Sequence, residues 1–152
     1  MTILNAPRDY ESIGKKVQKA RSLVIHNILW PQYIGEIFSE LEELTRLDTN
    51  RKIDFVHIAE TEKSRLSLGA SNSNHHAYPH SVLFKGCIED VPPLQLLIRL
   101  ILLCSDRRYD IVVLPGYHQV AYWIALFFAQ ISRKRIGVFC DSTELDNKQS
   151  TV

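Results

Sequence analysis

A single α/β domain with a mostly parallel sheet covered by helices on both faces is the fold class the sequence predicts, and three observations predict it. The chain has 152 residues, enough for one core and too few for two domains of ordinary size. Short runs rich in branched residues recur along it, apolar at consecutive positions as in strands buried on two faces. Between them lie segments whose apolar residues recur at the three- and four-residue spacing of amphipathic helices.

Residues 1–21 are polar, with Lys15, Lys16, Lys19 and Arg21 clustered, and are assigned to a leader; the domain spans 22–146, and 147–152 form a tail. SLVIHNIL, residues 22–29, is the first strand. Trp30 and Pro31 make a tight turn into a helix with Ile34, Ile37, Phe38, Leu41 and Leu44 on one face and Glu36, Glu40, Glu42 and Glu43 on the other; proline suits its first turn. KIDFVHIA, residues 52–59, and SVLFKG, residues 81–86, are further strands. The polar stretch between them, residues 60–80, reads as a long surface loop. Pro92 and Pro93 introduce residues 94–104, apolar enough for a helix buried on most sides apart from a Gln95–Arg99 polar stripe. YDIVVLP, residues 109–115, is the fourth strand, and Gly116, Tyr117 and His118 make the turn after it. The next helix sets Val120, Trp123, Ile124, Phe127, Phe128 and Ile131 on a core face, and a second stripe, Ala121, Ala125 and Ala129, allows close approach to a neighbour. RIGVFC, residues 135–140, is the last strand. The whole is a Rossmann-like three-layer sandwich, in which a ligand crevice lies outside the carboxyl ends of the strands, where strand order reverses. That selects residues 29–34, 60–74, 115–118 and 141–146 as the functional edge.

Composition narrows the function. Lys plus Arg 18 against Asp plus Glu 17 leaves a net charge of +1, so no basic field draws the chain to nucleic acid. Cys87, Cys104 and Cys140 are an odd number without a close pair and read as reduced thiols of a cytoplasmic protein. The first twenty residues lack the apolar stretch of a secretory signal, and the apolar runs 94–104 and 120–128 fall short of the ~20 residues that span a bilayer. His75, His76 and His80, with His57 and His118 elsewhere, lack metal-ligand spacing, and the histidines of the 60–80 loop read as solvated, so no metal is expected. The first turn lacks G-x-G-x-x-G, which argues against a nicotinamide or flavin dinucleotide, and no cofactor is expected.

Six residues are candidates for holding a ligand. Trp30 and Tyr33 offer apolar walls, the alternative for Trp30 being a plug over the sheet edge. Arg65 offers a planar fork for a phosphate or carboxylate, or else a salt bridge within its loop. Tyr117 and His118 sit where a glycine turn meets a helix start, and His118 reads either as a hydrogen-bond partner or base or as a helix-start residue. Asp141, with Ser142, Thr143, Glu144 and Asp146, offers carboxylates and hydroxyls to sugar hydroxyls; Ser142 or Thr143 could equally cap a helix. Arg133, Lys134 and Arg135 lie at the opposite edge, as solvated side chains or a weak attraction to a membrane surface.

ILWPQYIGEIFSELEEL, AETEKSR, YDIVVLPGYHQVAYWIALFFAQ and GVFCDST, in that order over residues 22–146, resemble the amino-terminal domain of a bacterial family 4 glycosyltransferase with the GT-B fold. The resemblance implies transfer of a sugar from a nucleotide-sugar donor to a glycan or lipid-linked acceptor, with retention of anomeric configuration and no essential metal. It implies that this chain is the acceptor-binding half, inactive alone, truncated or completed by a separate donor-binding domain. Relatives place a histidine at the end of the last strand, where Cys140 and Asp141 stand here, and no catalytic residue is assigned. A peripheral place at the inner membrane face is compatible with a lipid-linked acceptor. The alternative is a non-catalytic Rossmann-like binding or interaction module.

Overall fold

A computed structural model of the chain describes residues 20–29, 32–48, 50–68, 76–117 and 119–139. Its strands are β1 (Ala20–Ile28), β2 (Arg51–Thr61), β3 (His80–Cys87), β4 (Ile111–Leu114) and β5 (Arg135–Val138), and its α-helices α1 (Gln32–Leu47), α2 (Pro93–Ser105) and α3 (Val120–Ile131). The five strands form one sheet in the order β3-β2-β1-β4-β5, parallel at every pairing. The architecture is α/β and Rossmann-like, as the alternating pattern predicts.

Side chains alternate across the strands and build two cores. Leu23, Ile25, Val56, Ile58, Val112 and Leu114 turn to one face and pack with Leu96, Leu100 and Cys104 of α2 and Tyr122, Ala125 and Ala129 of α3. Val24 and Phe55 turn to the other and meet Ile34 and Phe38 of α1, with Tyr78 from the segment before β3. At the amino-terminal edge Arg21 donates from Nε to Asp54 Oδ2 (2.8 Å), and its backbone N–H reaches Asp110 Oδ2 (3.0 Å). The first strand therefore takes in Ala20 and Arg21, two residues assigned above to the leader, because that edge is pinned across three strands.

Two helix expectations are corrected. The large apolar stripe of α3 faces outward: Trp123 is 58% and Phe127 59% exposed, whereas Tyr122, Ala125 and Ala129 are fully buried. Two alanines let the helix axis come close to the sheet, and Tyr122 gives that face its bulk while its hydroxyl donates to Asn27 Oδ1 (2.6 Å). Similarly, α2 is buried along Leu96, Leu100 and Cys104 alone, and Leu94, Ile98 and Leu102 stand in the open. Near-continuous apolarity hid which stripe was the inner one.

The stretch expected as a surface loop, residues 60–80, is more structured than its composition implies. β2 runs to Thr61, a 3-10 helix follows at Lys63–Leu68, and residues 76–79 lead into β3. The β2–β3 register shifts between Ala59 and Thr61, where Gly86 takes φ 87° and its N–H donates to Glu60 Oε2 (2.8 Å). A left-handed residue at a bulge is where glycine is favoured.

Two leucines on α2 test the orientation of that helix. Leu100→Ala, at a fully buried site, is expected to cost about 2–5 kcal/mol in urea unfolding. Leu102→Ala, on the outer face, is expected to change stability by less than about 0.5 kcal/mol.

Candidate functional site

Strand order dictates where a crevice can form. The chain steps from β1 to β2 to β3 on one side of the sheet, then returns through α2 to place β4 on the other side of β1. The turns after β1 and β4 therefore diverge, and the rim between them is the switch point of the sheet. On the β4 side, Gly116 has φ 148°, a conformation that L side chains rarely adopt, and Tyr117 follows with its ring exposed. The Tyr117 carbonyl accepts from Trp123 Nε1–H (2.8 Å), which fixes the turn to the first turn of α3. On the β1 side, Tyr33 is exposed in the first turn of α1. The Tyr122–Asn27 bond ties α3 to the end of β1 across the same switch point. A cleft of about 390 Å³ is lined by Glu89, Val91, Pro93, Leu96, Gln119 and Val120, where α2 and α3 begin.

Of the six candidate residues, the structure sets Tyr33 and Tyr117 on the two sides of the switch point. Arg65 lies apart, beyond β2, with its Nε donating to Glu62 Oε1 (2.5 Å). Hydrogen bonds from Arg65 and then Ser64 hold the Glu62 carboxyl below the usual carboxylate range. Of the two readings of Arg65, the geometry fits the salt bridge within its own turn. Trp30, His118 and Asp141 lie outside the described residues, as do Ser142, Thr143, Glu144 and Asp146.

A group of polar residues beneath this edge was not found from the sequence. His57 is fully buried, and His26 and His76 are 7% exposed, so His76 is not the solvated loop histidine expected. His26 Nδ1 and His57 Nδ1 lie 2.9 and 3.2 Å from the Ile28 carbonyl. A carbonyl only accepts, so each Nδ1 carries a proton and His57 Nε2 is an acceptor. The Tyr78 hydroxyl, 2.8 Å away, donates to it, and His76 Nδ1, 3.2 Å from the same hydroxyl, donates in turn. His80 Nδ1 donates to the Tyr78 carbonyl (3.0 Å). Burial, then the neighbouring imidazoles His26 and His80, push His57 down to about 3, so it is neutral at pH 7. The one sequence signal was His26 and His57, which pair directly in register between β1 and β2.

No three His, Cys, Asp or Glu side chains among the described residues are grouped to hold a metal ion. Comparison of the chain with protein-family models, with curated proteins and with solved structures finds no match.

Neutral His57 sets a pH dependence. Its pKa is depressed on folding, so the unfolded chain binds more protons between about 6.5 and about 3, and stability falls as pH drops through that window. Between pH 7 and pH 5 the wild type should lose about 2 kcal/mol more than His57→Gln in urea unfolding. Equal losses in the two proteins would show that His57 titrates normally.

Proposed function

We propose that this domain is the acceptor-binding half of a cytoplasmic glycosyltransferase. It holds a glycan or lipid-linked acceptor while a separate donor-binding domain presents a nucleotide sugar. The observation that carries the reading is the switch point: exposed Tyr33 and Tyr117 on its two sides, with a close backbone turn at Gly116. Aromatic faces pack on the apolar faces of sugar rings, and phenol hydroxyls exchange hydrogen bonds with sugar hydroxyls. The ordered resemblance over residues 22–146 supplies the reaction class. Bulky Ile28, Leu29 and Trp30, where the first strand ends and its turn begins, instead of a glycine fingerprint, favour an acceptor over a dinucleotide.

In this reaction the acceptor hydroxyl oxygen bonds to the anomeric carbon as the nucleoside diphosphate leaves, carrying the hydroxyl proton. The residues of this chain hold and orient the acceptor; none is assigned to bond making. Trp30 and Tyr33 serve as walls, and Tyr117, His118 and Asp141 as polar contacts. Arg65 remains an anion grip only if an acceptor phosphate displaces Glu62 from it.

Calorimetric titration with a short polyprenyl-phosphate-linked sugar and with soluble oligosaccharides tests the assignment. One of the two classes should bind, and Tyr117→Ala and His118→Ala should each weaken it about tenfold or more with the fold intact by circular dichroism. Binding left unchanged by both variants would remove them from the site. Absence of acceptor binding, with retention of some other ligand, would favour the non-catalytic binding module.

A further inference from the structure

The strand β3 has fewer anchors than its neighbours. It lies at the edge of the sheet, paired to β2 alone, and Cys87 is its one buried residue. Even that pairing shifts register between Ala59 and Thr61. The start of the strand is tied down by the segment before it, residues 76–79. There the Ala77 N–H donates to Ser39 Oγ of α1 (3.1 Å), and the Tyr78 ring packs on Phe38 and Phe55 while its hydroxyl donates to His57 Nε2. Imidazoles from three elements face the His57 ring: His26 of β1, His76 of the segment and His80 of β3, with centroids 5.8, 6.4 and 5.7 Å away. From α1 it meets the uncharged ring of Phe38 (6.1 Å). No carboxylate is among the groups whose charge acts on His57.

We propose that Tyr78 and His57 form an acid-sensitive latch on this edge of the sheet: a proton taken up by His57 expels Tyr78, and residues 76–87 open together while the other four strands stay paired. In the closed state His57 Nδ1–H is committed to the Ile28 carbonyl, so an added proton can go only to Nε2, the atom that accepts from the Tyr78 hydroxyl. The hydroxyl already receives His76 Nδ1–H, and once Nε2 is protonated its own proton loses its acceptor. The new charge would stand among three imidazoles with no anion to balance it. Burying such a charge is costly, so the closed state excludes the proton. Once Tyr78, His76 and His80 leave, His57 meets water on β2 and takes up the proton as an ordinary histidine, which links opening to acid. The edge strand can go without breaking the β1–β2 or β1–β4 ladders, and local openings are drawn from such lightly anchored segments. The latch adds a local opening that precedes the loss of global stability, and it does not depend on the acceptor reading.

The test is hydrogen exchange of the whole chain by mass spectrometry at pH 7 and pH 5, over low concentrations of urea and corrected for the intrinsic rate of amide exchange. At pH 7 the amides of β3 should exchange faster than those of β1 and β4, through an opening that urea promotes little. Between pH 7 and pH 5 their protection should fall about 25-fold, the factor for one histidine released from about 3 to 6.5. The strands β1 and β4 should stay the better protected at both pH values. His57→Gln should take away most of the fall. Tyr78→Phe, which keeps the ring and loses the hydroxyl, should speed exchange in β3 at pH 7 and leave β1 and β4 the slower strands. Exchange of β3, β1 and β4 together, with one dependence on urea, would overturn the proposal, since only the whole fold would then open. So would wild-type β3 protection that does not change with pH, a comparison that needs no variant to fold, or a fall of the same size in His57→Gln.

Discussion

Burial of β1 on both faces is the constraint from which the rest of the architecture follows. The strand lies at the centre of the sheet, with Leu23 and Ile25 turned to one side and Val24 and His26 to the other, all buried. Its two sides are dry only if a layer covers each, and parallel neighbours require the chain to cross over the sheet to supply those layers. The crossover from β1 to β2 covers one face with α1; those leading into β4 and β5 cover the opposite face with α2 and α3. That change of side opens the edge between β1 and β4. The candidate site is thus a consequence of how the core is closed.

The α1 face is closed in part by the segment entering β3 rather than by a second helix. Tyr78 packs against both Phe38 and Phe55, with ring centroids 5.6 and 4.9 Å away, and its hydroxyl meets His57. A phenol and imidazoles at that depth are tolerable because each hydrogen bond has a defined donor and acceptor as long as the rings are neutral. Two of the imidazoles end on the Ile28 carbonyl, the last residue of β1. The polar core therefore fixes the strand end from which the crevice begins.

Much of this was legible in sequence. Branched runs located all five strands, and Pro93 marked the start of α2 because a proline at the first helical position leaves no new unsatisfied donor. The inner face of α3 was legible only in part: the alanine stripe was read as a surface of close approach, but the core was assigned to the larger residues. Large residues outnumber alanines on that helix, and periodicity ranks stripes by apolarity, yet two alanines approach the sheet more closely than a tryptophan and a phenylalanine could. Nor could composition show that Tyr78 and His76 leave a Ser- and Asn-rich stretch to fill the core, since their partners on β2 are some twenty residues earlier. The placement of Tyr33 and Tyr117 at one edge was legible, because turns that follow strands of a parallel sheet must gather there. The pairing of Arg65 with Glu62 was an open alternative that only geometry could choose.

The claim that the switch point holds an acceptor is tested most directly by mapping backbone amide shifts while titrating a short polyprenyl-phosphate-linked sugar. The account predicts shifts concentrated at Leu29, Tyr33, Gly116 and Tyr117, on the two sides of that edge, with little change at Arg21 or Asp54 on the opposite one. Shifts confined to the amino-terminal edge, or no saturable shifts for that ligand or for soluble oligosaccharides, would contradict it.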